Sequence, residues 1–135
     1  MGLFKNIFGI SEVNEDKTEI KSWVIEMLLE VEKVSDALCI YNCTVQVAYE
    51  NTLQIRIQDW HDDMIMKHGK EFGLEKYFNL KPVEGYSGIY ISVLRPHVSG
   101  NAKGVIKKVM EEIEMQYHFG YEYDSEFGTF VKNFR

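Results

Sequence analysis

The chain of 135 residues predicts a single small α+β domain, residues 1–135, with helices packed on one antiparallel sheet. Three observations carry that expectation. Apolar residues recur at helical spacing over residues 17–36 and again after Asn101. Between those stretches they recur at every second position, with polar residues interleaved, which is the mark of half-buried strands. No repeat, low-complexity tract or linker divides the chain, and its length suits one domain.

Composition narrows the class further. Hydrophobic residues at 45% and charged residues at 27% match ordinary globular usage and exclude a wholly disordered chain. Lys and Arg number 15 against 21 Asp and Glu, a net charge of −6, so a nucleic-acid partner is not expected. The two cysteines, Cys39 and Cys43, fall on one face of one predicted strand. Their separation of roughly 13 Å exceeds the ~7 Å reach of a disulfide, which suggests a reducing compartment. Met1–Ile10 is short for a secretory signal and runs into the acidic stretch Glu12–Glu19. No apolar run approaches the ~20 residues that span a bilayer. A cytoplasmic location is therefore expected, and no cofactor is.

The elements follow in order. Residues 1–15 read as an N-terminal arm in which Leu3, Phe4, Ile7 and Phe8 would share one side of a short helix. Such an arm either docks on the body or recruits the protein to a membrane surface or a partner. The single Lys5 gives little attraction to anionic lipid, and Asn6 stands where myristoylation wants Ser or Thr. Ile20, Val24, Met27, Val31 and Val34 then form a helical stripe, widened by Trp23 and Leu28, with Asp16 and Glu19 as a capping box.

From Cys39 the period changes to two. Cys39, Tyr41, Cys43, Val45, Val47 and Tyr49 alternate with Ile40, Asn42, Thr44, Gln46 and Ala48, and Leu53, Ile55 and Ile57 with Gln54, Arg56 and Gln58. Parity then pairs Tyr49 with Leu53 across Glu50-Asn51-Thr52, and Asn51 suits the left-handed position of such a loop. Residues 61–76 suggest a helix weakened by Gly69 and Gly73. A second hairpin is expected from Tyr77–Leu80 and the alternating Ile89, Ile91 and Val93. Asn101 caps a last helix carrying Ala102, Val105, Ile106, Val109, Ile113 and Tyr117. The order is α-β-β-α-β-β-α, followed by an aromatic C-terminal segment, residues 118–135. In element order and acidity the chain resembles the secretion-chaperone-like α+β folds. That resemblance is one of topology, and it implies a dimeric peptide binder.

Three constellations are candidate sites. The C-terminal region holds Tyr117, Phe119, Tyr121, Tyr123, Phe127, Phe130 and Phe134. Tyr121 and Tyr123 alternate with acids as in an extended stretch, while Phe127, Phe130 and Phe134 have the 3,4 spacing of a helical turn. Such aromatics either complete the core or form an interface, where they bury large areas. Asp59, His61 and Asp62, with His68 beyond, carry the oxygen and nitrogen donors of a divalent metal site, though Asp62 or Asp63 is equally suited to cap a helix. Lys103, Lys107 and Lys108 cluster at the start of the last helix, where backbone N–H groups favour an anion. No nucleophile elbow or P-loop spacing is present.

The function expected is a non-enzymatic protein-binding or chaperone-like module, a homodimer that holds a protein or peptide segment. It would act through the aromatic C-terminal surface and a sheet face or edge. A small metal-dependent enzyme using the Asp59–His68 cluster is one alternative. Membrane recruitment through the N-terminal arm is the other.

Overall fold

Two long helices cover one face of a five-stranded antiparallel sheet, the α+β class that the sequence predicts. The computed structural model describes residues 9–48, 51–61, 64–80, 89–95 and 101–134. Helix α1 (Gly9–Val34) leads into strands β1 (Ile40–Val47) and β2 (Leu53–Asp59). A short helix α2 (Met64–His68) and a 3-10 turn (Leu74–Lys76) follow, then β3 (Ile89–Arg95), α3 (Ala102–Tyr117), β4 (Glu122–Asp124) and β5 (Thr129–Asn133). The strand order is β3-β2-β1-β5-β4.

Helix α1 starts earlier than its apolar stripe. Residues 9–15, expected in an arm, belong to α1, so Asp16 does not cap it. No proline interrupts this stretch, and the acids from Glu12 to Glu19 suit the positive end of a helix dipole. Leu3, Phe4, Ile7 and Phe8 lie outside the described residues. The stripe itself is buried: Ile20, Val24, Met27, Leu28, Val31 and Val34 are at most 1% exposed. Cys39, at φ 52, then turns the chain into β1.

The parity of β1 changes within the strand. Ile40 pairs with Asp59 and Asn42 with Gln58, so Tyr41 is the extra residue of a bulge. Ile40, rather than Tyr41, therefore joins Cys43 and Val45 in the core. At the other end the hairpin closes on Val47 and Leu53, not on Tyr49, which lies outside the described residues. Asn51 adopts the expected left-handed conformation at φ 58.

The second expected hairpin does not form as a local unit. Tyr77–Leu80 is not a strand; Leu74 and Phe78 are buried instead, with Phe78 N–H bonding the Leu74 carbonyl at 2.8 Å. Gly73, at φ 78, starts that turn. β3 pairs antiparallel with β2. The observed order is thus α-β-β-α-β-α-β-β, and the last two strands come from the aromatic C-terminal segment.

Helix α3 begins as the sequence predicts. Asn101 Oδ1 accepts the Gly104 N–H at 3.1 Å, and Ala102, Ile106, Val109 and Ile113 are buried, joined by Met110. These side chains and those of α1 meet Cys43, Val45, Leu53, Ile55 and Ile57 in one core cluster. Full burial of each such aliphatic side chain contributes about 1.5–3 kcal/mol. The opposite face of β1 and β2 is polar. Asn42 donates to Gln58 at 3.4 Å and Gln46 to Gln54 at 3.3 Å, leaving that face to water.

Candidate functional site

The site is built by the C-terminal hairpin of β4 and β5. Helix α3 stops at His118, which is left-handed at φ 55 and donates its N–H to the Glu114 carbonyl at 3.0 Å. Gly120, at φ 100, follows and donates to Glu114 Oε1 at 2.8 Å, fixing the turn into β4. The hairpin loop is held by Asp124. Its carbonyl accepts from Gly128 at 2.8 Å and its Oδ1 accepts from Glu126 at 3.0 Å.

Register assigns each side chain to a face, because directly paired residues point the same way. Phe130 pairs with core Val45 and Lys132 with core Cys43, so both lie on the helix side. Tyr123 pairs with Phe130 and joins them, its ring 5.0 Å from that of Phe130. On the open face stand Glu122 opposite Val131 and Asp124 opposite Thr129, with Asn133 opposite Asn42. The helical turn expected for Phe127, Phe130 and Phe134 is therefore a turn and a strand. Phe130, Lys132 and Phe134 also keep a period of two, and Gly128 with β-branched Thr129 and Val131 was the signal for it.

The seven aromatics divide into two groups. Phe119, Tyr121 and Phe130 are buried in this chain's own core, and Phe134 packs partly against it. Tyr117, Tyr123 and Phe127 are 37%, 44% and 66% exposed. Tyr117 stacks on Phe119 at 5.3 Å, so the exposed group grows directly out of the buried one. The buried members hold the exposed three in place.

Beneath the hairpin lies a polar cluster that the sequence did not reveal, since it joins α1, β1, β5 and the turn before β4. Lys132 Nζ pairs with Glu32 Oε1. Next to them the Tyr121 hydroxyl and the Cys43 thiol lie buried close together. Burial pushes the Cys43 thiol up to about 12, with Glu32 adding to the effect and Tyr121 and Lys132 opposing it. Burial likewise holds the Tyr121 phenol well above its ordinary value, reinforced by Cys43. Both groups stay protonated at neutral pH, so Cys43 has no thiolate to act as a nucleophile.

A groove of about 540 Å³ runs along β4, lined by Gly120, Glu122, Tyr123, Asp124 and Ser125 with Val131 and Asn133 of β5. Its size falls among ligand clefts, about 300–1,000 Å³.

The other candidates are placed differently. Asp59 is 5% exposed and its Oδ2 accepts the Ile65 N–H at 3.3 Å, the helix-start role expected of Asp62 or Asp63. His61 is exposed, His68 contacts Glu71 at 3.1 Å, and Asp62 lies outside the described residues. No trio of His, Cys, Asp or Glu among the described residues is arranged to hold a metal. Lys103, Lys107 and Lys108 are all exposed; Lys107 Nζ stands 5.0 Å over the Tyr123 ring and the Lys103 side chain runs beside Gly128. Among the described residues no helix is long and apolar enough to cross a membrane.

Fold and site together define a small α+β domain whose sheet is completed by a C-terminal aromatic hairpin. No family model, curated protein or solved structure matches the chain.

Proposed function

We propose that this domain is a non-enzymatic, chaperone-like protein-binding module whose contact surface is the β4–β5 hairpin with the adjoining end of α3. One observation carries the reading. β4 lies last in the sheet with no strand on its outer side among the described residues, and Tyr123 and Phe127 are exposed beside it. Exposed aromatics next to an open edge supply both parts of peptide capture: main-chain pairing for affinity and side-chain contact for selectivity. Met115, 78% exposed, and Tyr117 add exposed apolar side chains to the end of α3, and a second copy of the chain is one candidate partner.

Light scattering over a concentration series tests self-association, comparing the full chain with a Tyr117→Ser/Phe127→Ser variant. Photocrosslinking from position 127 tests for another partner, with position 33 as an equally exposed control. Discrete adducts from 127 and none from 33, or a dimer lost in the double variant, support the reading. A monomer at every concentration, with no adduct from 117, 123 or 127, overturns it.

A further inference from the structure

We propose that the outer edge of β4 accepts an extended peptide segment with basic residues at alternate positions, and that its charge pattern excludes a second copy of the same edge. This rests on the protein-binding reading and names the chemistry of the partner. An edge strand offers unpaired N–H and C=O groups to any extended chain, so charge must decide which chain is admitted.

Glu122 and Asp124 point to the open face, one on each side of Tyr123. Their β5 neighbours on that face are Thr129, Val131 and Asn133, none of which carries a cation. Of the nearby lysines, Lys103 runs beside Gly128 in the hairpin loop, and the other two lie on the helix side. Lys132 faces the helices and pairs with Glu32, and Lys107 sits over the Tyr123 ring. Asp124 uses Oδ1 for the Glu126 N–H, which keeps its carboxylate fixed at the edge. Glu126 itself is exposed in the loop that follows. Among the described residues, the open-face border of the sheet is thus a short row of carboxylates with no cation opposite it on β5.

Self-pairing is disfavoured by the same arrangement. Two copies of β4 antiparallel about Tyr123 would set Glu122 against the other copy's Asp124 twice. A parallel pairing in register would set like against like at both positions. Like charges directly opposite each other are destabilising in a sheet. A strand with Lys or Arg at those two places reverses the sign. Because side chains alternate, its intervening residue would lie on the helix side beside Tyr123, so an apolar residue fits there.

The test uses the full, isotope-labelled chain and three heptapeptides, each acetylated and amidated. The first is Thr-Lys-Val-Lys-Val-Lys-Thr, the second has Glu for Lys, and the third is the lysine peptide N-methylated at its three central residues. The lysine peptide is expected to shift amide resonances centred on residues 120–125. The glutamate and N-methylated peptides should bind at least about tenfold more weakly, the first through like-charge pairing and the second through lost main-chain bonds. The Glu122→Lys/Asp124→Lys variant should prefer the glutamate peptide. Glu122→Lys alone, which leaves the Asp124 loop bond in place, should weaken the lysine peptide about threefold. Shifts centred elsewhere, equal binding of the N-methylated peptide, or a preference unchanged in both variants would overturn the proposal. Should position 127 still give discrete adducts in that case, protein binding stands and strand addition alone is lost.

Discussion

The Cys43 thiol lies fully buried beside Tyr121, and its proton is released only near pH 12. In the unfolded chain the same thiol titrates near 9.0. Between those values the unfolded state holds fewer protons than the native one, so stability falls as pH rises, by about 1.4 kcal/mol per unit from this group. Tyr121 acts in the same direction above 10.0, because its native phenol also keeps its proton longer. Urea unfolding at pH 8, 9, 10 and 11 should show this decline. Cys43→Ala should be less stable at pH 8 through the cavity it leaves, yet decline less steeply above pH 9. Parallel curves for the two proteins would refute the linkage. At pH 8 a thiol reagent should modify half-buried Cys39 in the native protein and reach Cys43 only on unfolding. The alternation around Cys43 was enough to place it in the core; its proximity to Tyr121 depended on a turn far along the chain.

At the scale of elements, the hairpin of β4 and β5 separates two phenylalanines three residues apart. Phe130 is 4% exposed and packs in the core, whereas Phe127 is 66% exposed in the loop. Phe130→Ala should cost about 3–5 kcal/mol of unfolding free energy, and Phe127→Ala less than about 0.5 kcal/mol. Equal losses, read by urea titration, would contradict this assignment of faces. His118→Gly should stabilise the protein by up to about 1 kcal/mol, since glycine takes the left-handed helix end without the Cβ strain that histidine bears. Helices α1 and α3 and the β1–β2 hairpin were legible in the sequence because each is set by a local period. The C-terminal strands were not. Phe127, Phe130 and Phe134 fit a helical spacing while Phe130, Lys132 and Phe134 fit a strand, and over so few residues only pairing with β1 decides. Tyr77–Leu80 is no strand for a similar reason: four residues carry no clear period, and Leu74 and Phe78 are buried on one turn instead.

For the molecule as a whole, strand order governs what a deletion does. β5 lies between β1 and β4, so a chain ending at Gly120 loses a strand that forms part of the core wall, not an appendage. It should unfold without a cooperative urea transition, and lost binding in such a chain would report lost folding. The point substitutions at Tyr117, Glu122 and Phe127 avoid that confusion because their side chains are exposed. As for the candidate site, its residues were legible as an aromatic surplus, and the split between core and surface was not. That split depends on which side of a sheet each residue takes, and the sheet is assembled from both ends of the sequence.

The placement of β5 against β1 also fixes an order of events during synthesis. A chain emerging N-terminus first exposes α1, β1 and β2 well before β5 exists, and domains form as units only once their parts are available. Until then β1 is paired on one side only, and Cys43 and Val45 lack the neighbours that finally enclose them. Closure of the sheet therefore waits for the last described strand, and a ribosome that stops early releases a chain whose inner edge is still open.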